Sequence, residues 1–170
     1  MTPTQTIHLK VNDEVRELTV PLGATLLNVL RDAGYHGVKR GCEEGTCASC
    51  LVLIDGVPQA SCMLLALAQE GKAITTIEAF DKPDDPHPIV EELVSGAGVQ
   101  CGYCVPGMVL SVKALLDEIP RPTEPELREA LDGHLCRCTG YVKQIEAFQR
   151  AAERLATAKE ASASSEETNR

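Results

Sequence analysis

The chain contains no tryptophan, and only three Tyr and two Phe among 170 residues. Two small halves built with so few large side chains would have marginal cores, so bound metal would contribute to their folding. No apolar run approaches the eighteen or so residues of a membrane span. Lys and Arg total 16 against 25 Asp and Glu, a net charge of −9 with no basic cluster, which argues against a nucleic-acid partner and reads as solubility. The opening Met1-Thr2-Pro3-Thr4-Gln5 lacks the basic and apolar regions of a secretory signal, so a cytoplasmic chain with reduced thiols is expected. No Gly-x-Gly-x-x-Gly or Walker-type loop is present to hold FAD, NAD or a nucleotide. Ser49 has no candidate base beside it, so a nucleophile is not expected either.

What the chain has is cysteine, eight of them in two sets. Cys42, Cys47, Cys50 and Cys62 have the spacing C-x4-C-x2-C-x11-C. That is the plant-type signature for a [2Fe-2S] cluster. Three sulfurs within nine residues force the backbone to wrap a compact object, and Gly41 and Gly45 supply the freedom to do so. Zinc and a disulfide framework are the alternatives; a single zinc ion rarely selects an x4 gap followed by x2. The second set, Cys101, Cys104, Cys136 and Cys138, has the spacing C-x2-C-x31-C-x1-C. Pro106 marks a helix start just behind Cys104, where the helix dipole favours thiolate. A four-thiolate zinc site and a redox-active Cys101/Cys104 pair compete for this set, although no βαβ pattern precedes the pair. His8, His36, His87 and His134 show no ligand spacing.

The periodicity divides the chain. Thr6–Lys10 and Val15–Val20 alternate apolar with polar residues about an Asn12-Asp13 turn, and Asp55-Gly56 joins a second pair of apolar runs. Between the pairs, Thr25 caps a helix running to about Ala33. A helical turn over Met63–Ala68 and a strand Ala73–Ile77 complete an α+β unit, residues 1–79. Residues 80–88, rich in Pro and Asp, read as a linker. From 89 to 156 the period becomes helical, with four expected helices. These are one from Ile89, one over Met108–Leu116, one capped by Thr123 and Glu126, and one from Tyr141 with Val142, Ile145, Phe148, Ala152 and Leu155 on its face. Residues 157–170, with no apolar period, are expected to be disordered.

Three segments together, Gly41 to Cys50, Gln100 to Gly107 and Leu135 to Tyr141, resemble the small iron–sulfur subunit of the molybdenum hydroxylase family, which includes xanthine dehydrogenase, carbon monoxide dehydrogenase and aldehyde oxidoreductase. The resemblance runs from residue 5 to about 155. It implies a plant-type ferredoxin (β-grasp) domain followed by a four-helix bundle, each with a [2Fe-2S] cluster on its four cysteines. It also implies that Gln100 and Cys138 meet the pterin of a molybdenum cofactor on a large subunit, and that FAD on a medium subunit receives the electrons. A stand-alone two-cluster ferredoxin is the alternative. The family usually has Gly where this chain has Ala48 and Thr where it has Val105. A positive φ at Ala48 would therefore be strained.

Overall fold

The first hairpin forms where two apolar-alternating segments flank residues that accept left-handed backbone. Strands β1 (Thr4–Val11) and β2 (Glu14–Pro21) pair antiparallel from Val11↔Glu14 to Thr4↔Pro21. Asn12 (φ 50°) and Asp13 (φ 69°) make the tight turn. Strands β3 (Leu51–Ile54) and β4 (Val57–Ala60) form the second hairpin about Asp55 and Gly56, also at positive φ. Strand β5 (Ala73–Thr75) runs between the hairpins, parallel to β1 and antiparallel to β3, giving the order β2-β1-β5-β3-β4. The computed structural model describes residues 2–80, 82 and 84–168, with side chains through residue 162.

Helix α1 (Leu26–Asp32) lies across one face of this sheet, and the Thr25 side chain accepts from Asn28 N at its start. Its Leu26, Leu27, Val29 and Leu30 bury against Ile7, Leu9, Val11, Val52, Ile54 and Ile74. A mixed five-stranded sheet gripping one helix is the β-grasp arrangement expected. Asn12 clips the loop after β5, accepting from Thr76 N and donating to Thr76 Oγ1, both at 2.9 Å. Met63–Ala68 is not one helical turn. Two 3-10 turns, Ser61–Met63 and Ala66–Gln69, flank extended Leu64 and Leu65. The Leu64 carbonyl accepts from Leu26 N at 2.8 Å, satisfying a donor that α1 leaves open at its N-terminus.

The second half consists of helices α2 (Pro88–Ser95), α3 (Val105–Glu118), α4 (Glu124–Ala130) and α5 (Tyr141–Thr168). His87 caps α2 through Nδ1, and Thr123 with Glu126 forms the expected capping box on α4. Ile89, Leu93, Met108, Val112, Leu127 and Phe148 fill the core among these helices. Helix α5 buries Ile145, Phe148 and Ala152 and packs Leu155 on the face expected, but Val142 is exposed, and Gln144, Ala147 and Ala151 are buried as well, widening that face. It also continues to Thr168, through residues expected to be disordered; Asn169 and Arg170 lie outside the described residues. Ala, Glu and Lys are strong helix formers, and extending a nucleated helix is far easier than starting one. Arg121 bonds Glu153 and Glu160 and so ties this extension to the segment between α3 and α4. In the expected linker, His87 N bonds the Phe80 carbonyl and the two rings meet edge-on, while Asp81 and Pro83 lie outside the described residues.

The halves meet along α3. Leu110 packs between Leu51 and Leu53 of β3, and Gly107 faces the Ala48 carbonyl so closely that a Cβ would lie 2.3 Å from it. The Leu135 N–H bonds the Cys47 carbonyl at 3.3 Å, and the Tyr103 hydroxyl donates to the Arg40 carbonyl.

Candidate metal centres

The loop from Gly41 to Cys50 coils because three of its residues take left-handed backbone: Glu43 (φ 60°), Gly45 (φ 76°) and Ala48 (φ 55°). Ala48 therefore holds the conformation in which a side chain is strained, by roughly 1–2 kcal/mol. Gly41 is bare because of sulfur: a Cβ there would sit 2.6 Å from Cys47 Sγ. Glu44 N donates to Cys42 Sγ at 3.3 Å. Cys62 arrives from the turn after β4, closing the set of four. Cys47, Cys50 and Cys62 are buried and Cys42 is half-buried, while Glu43, Glu44 and Thr46 stand on the surface.

The sulfurs couple in pairs. Cys42 neighbours Cys47, and its thiol is pulled down to about 6, first by the Thr46 side chain and then by the Glu44 N–H. Cys62 neighbours Cys50 and is pushed up to about 11, by burial and then by Cys50.

The second set gathers at one end of the helices. Cys104 is the N-cap of α3, as Pro106 led us to expect, and Cys101 precedes it on the surface. Cys136 and Cys138 lie in the loop between α4 and α5. The Tyr141 hydroxyl threads this loop, accepting from Cys136 N at 2.6 Å and donating to the His134 carbonyl at 3.1 Å. Burial opposes ionisation of Cys136, but the nearby N–H of Gly140, the Cys104 thiol, and the N–H groups of Cys138 and Thr139 outweigh it and lower the pKa. Cys104 is pushed up to about 11, by burial first and its neighbour Cys136 second. Gln100 Nε2 donates to the Cys138 carbonyl at 3.2 Å, so both residues named for the pterin contact lie together at the exposed edge of this set.

All eight cysteines are free, so there is no disulfide framework. Among the described residues, no three His, Cys, Asp or Glu side chains converge as ligands of a single ion would. Paired thiols, backbone N–H groups on sulfur and a bare glycine at Cys47 fit a two-iron group with bridging sulfides in each set.

Three residues here escaped the sequence reading. His134 is buried in the seam between the halves, with Nε2 2.8 Å from Ser111 Oγ, and burial lowers its pKa to about 4. Tyr103 bridges the halves. Gln144, at 2% exposure, places Nε2 3.6 Å from Cys104 Sγ. Only Gln144 left a trace in the sequence: a polar residue one helical turn before Phe148, the largest buried side chain.

Fold and donor sets together define a protein with two [2Fe-2S] sites on one chain, a class built to carry electrons. Comparison with known proteins agrees. Residues 9–75 match the 2Fe-2S iron-sulfur cluster binding domain, and residues 76–149 match a second [2Fe-2S] binding domain. The chain is 42% identical to the nicotinate dehydrogenase small FeS subunit of Eubacterium barkeri, over 89% of this chain and 97% of that one. It is 41% identical to the nicotine 6-hydroxylase small subunit of Paenarthrobacter nicotinovorans, over 83% and 86%. Among solved structures, quinoline 2-oxidoreductase from Pseudomonas putida 86 superposes with a TM-score of 0.86 at 36% identity, over 91% of this chain and 97% of that one. The chain belongs to the family of small iron–sulfur subunits of the molybdenum hydroxylases.

Proposed function

We propose that this chain is the electron-transfer subunit of a multi-subunit molybdenum hydroxylase. It would pass electrons from a molybdenum–pterin cofactor on a large subunit, through its two [2Fe-2S] sites, to FAD on a medium subunit or to another acceptor. Cys42, Cys47, Cys50 and Cys62 would hold one cluster and Cys101, Cys104, Cys136 and Cys138 the other. The domain division at residues 80–88 separates the two sites. A bound [2Fe-2S] group supplies one-electron oxidation and reduction, and the chain's own residues do the rest.

The observation that carries the relay is the Leu135 N–H to Cys47 carbonyl bond. It ties the backbone one residue before Cys136 to the backbone of Cys47, so a hydrogen bond joins the two sites directly. Around it Gly107 lies against Ala48, and Leu110 packs with Leu51 and Leu53. Gln100 and Cys138, at the outer edge of the helical site, would face the pterin. Glu43, Glu44 and Thr46, on the surface of the first loop, would face the next acceptor. The relatives' names, nicotinate dehydrogenase and quinoline 2-oxidoreductase, support an N-heterocyclic substrate for the assembly, bound on another chain. A cytoplasmic location is in keeping with free thiols, and no described helix is long and apolar enough to cross a membrane.

Iron analysis tests the ligand sets. About four irons per chain and two reduced-cluster EPR signals are expected, with Cys62→Ser removing one signal and Cys136→Ser the other. Zinc in place of iron would refute the assignment. Co-purification tests the partners: recovery without any molybdenum or flavin subunit would leave a stand-alone two-cluster ferredoxin.

A further inference from the structure

We propose that Gln144 is a tuning residue of the helical site: its side-chain N–H donates to the Cys104 sulfur and raises the reduction potential of the cluster held there. This rests on the ligand set proposed above. Gln144 sits on a face of α5 otherwise made of Ile145, Ala147, Phe148 and Ala151, all buried. A polar side chain there opposes folding unless both ends are bonded, and Gln144 Oε1 has no hydrogen-bond partner among the described residues. What the position gains is at the other end, where Nε2 lies 3.6 Å from Cys104 Sγ. The two neighbouring sulfurs are served differently. Cys136 has the N–H groups of Gly140, Cys138 and Thr139 around it, whereas Cys104, beside it and recessed at the head of α3, has its own backbone N–H. Gln144 adds a side-chain donor to the more buried sulfur. The neighbouring amide, Gln100, is spent on the Cys138 carbonyl and cannot substitute.

A donor at a ligand sulfur stabilises the state carrying more negative charge, and one-electron reduction of a [2Fe-2S] group adds one such charge without a bond being made or broken. The test is a redox titration of the iron-loaded protein, following both reduced-cluster EPR signals in wild type and Gln144→Leu. The signal that Cys104→Ser perturbs should become harder to reduce by roughly tenfold in its equilibrium constant, a fall of about 59 mV for one electron. The other signal should not move, and thermal stability should hold or rise because an unpaired buried carbonyl is gone. Gln144→Met, unbranched and of similar length, gives the same reading if Leu packs poorly. Unchanged midpoints with both signals present would overturn the proposal, as would equal shifts in both. Absence of the second signal from wild type would instead overturn the ligand assignment.

Discussion

Replacing Gly107 with alanine sets two physical effects of opposite sign against each other. Gly107 lies in the first turns of α3, where alanine would stabilise the helix by up to about 1 kcal/mol. Its new Cβ, however, would stand 2.3 Å from the Ala48 carbonyl oxygen and 3.3 Å from His134 Cε1, where ordinary contact begins at 3.4 Å. One side must retreat by about 1 Å, the sort of backbone shift that overpacking forces. The loop side is held: Ala48 is already at φ 55°, between two cysteines of the first site, and its carbonyl accepts from Leu51 N at 3.2 Å. The helix must therefore move, and with it Leu110 leaves Leu51 and Leu53. The Leu135–Cys47 bond, long already at 3.3 Å, is the first to fail. Overpacking of about 1–3 kcal/mol outweighs the helix term. With about 2–4 °C per kcal/mol for a chain of this size, the apparent Tm should fall by about 5 °C. Thermal melting of the iron-loaded protein measures this, and amide exchange at Leu135 should accelerate with it. An unchanged or raised Tm, with the Leu135 amide exchanging as slowly as in wild type, would refute the seam described here.

Other expectations follow from single residues. Gly45→Ala puts alanine at φ 76°, a strain of roughly 1–2 kcal/mol; the new Cβ would also press on Met63 Cγ at 2.9 Å, a side chain free to move. Mild chelation should then strip iron from the first site before the second, read as selective loss of one EPR signal. Burial, and secondarily Lys113, lowers the pKa of His87, opposed by Asp117. The unfolded state therefore takes the proton first, and the stability His87 contributes is present above its unfolded pKa of about 6.5 and lost as pH falls below it. Urea midpoints should drop less between pH 8 and pH 5 in His87→Asn, which keeps a capping acceptor, than in wild type; equal drops would contradict this. Arg121→Ala should leave the Tm nearly unchanged, since the pairs are at the surface, while speeding proteolysis near residues 157–161 of α5.

Sequence reasoning reached furthest where a local rule has no tertiary competitor. Asn12-Asp13 and Asp55-Gly56 turn because few other residues accept that backbone, and Thr25 and the Thr123–Glu126 box cap their helices as their side chains dictate. The alternation of Ile7, Leu9 and Val11 matches the buried positions of β1. It failed where partners distant in sequence decide. Nothing local places β5 beside β1, since the parallel pairing of Lys10 with Ala73 depends on closing the whole sheet. Leu64 and Leu65 are extended because α1 needs the Leu64 carbonyl. On α5 the apolar period found Ile145, Phe148 and Ala152 but not the buried Gln144, whose partner is a sulfur 40 residues away in sequence. Residues 157–168 are helical because a preceding helix hands them a nucleus. Spacing and resemblance grouped the cysteines into two sets, but the seam between the halves was not legible, because its contacts, Leu135 N–H to the Cys47 carbonyl and Leu110 with Leu51 and Leu53, join residues distant in sequence.

Because Asn12 closes on Thr76, the first sheet cannot be finished until residue 76 has left the ribosome. Cys42, Cys47 and Cys50 emerge well before that. At about 5–20 residues per second, the 26 residues from Leu51 to Thr76 take roughly 1–5 s to synthesise. For that interval three thiols precede the strand that completes the sheet around them. The helical half then has a finished surface, Ala48 and the Cys47 carbonyl, against which to settle. Order of synthesis thus brings out the first cysteine loop before the second set exists.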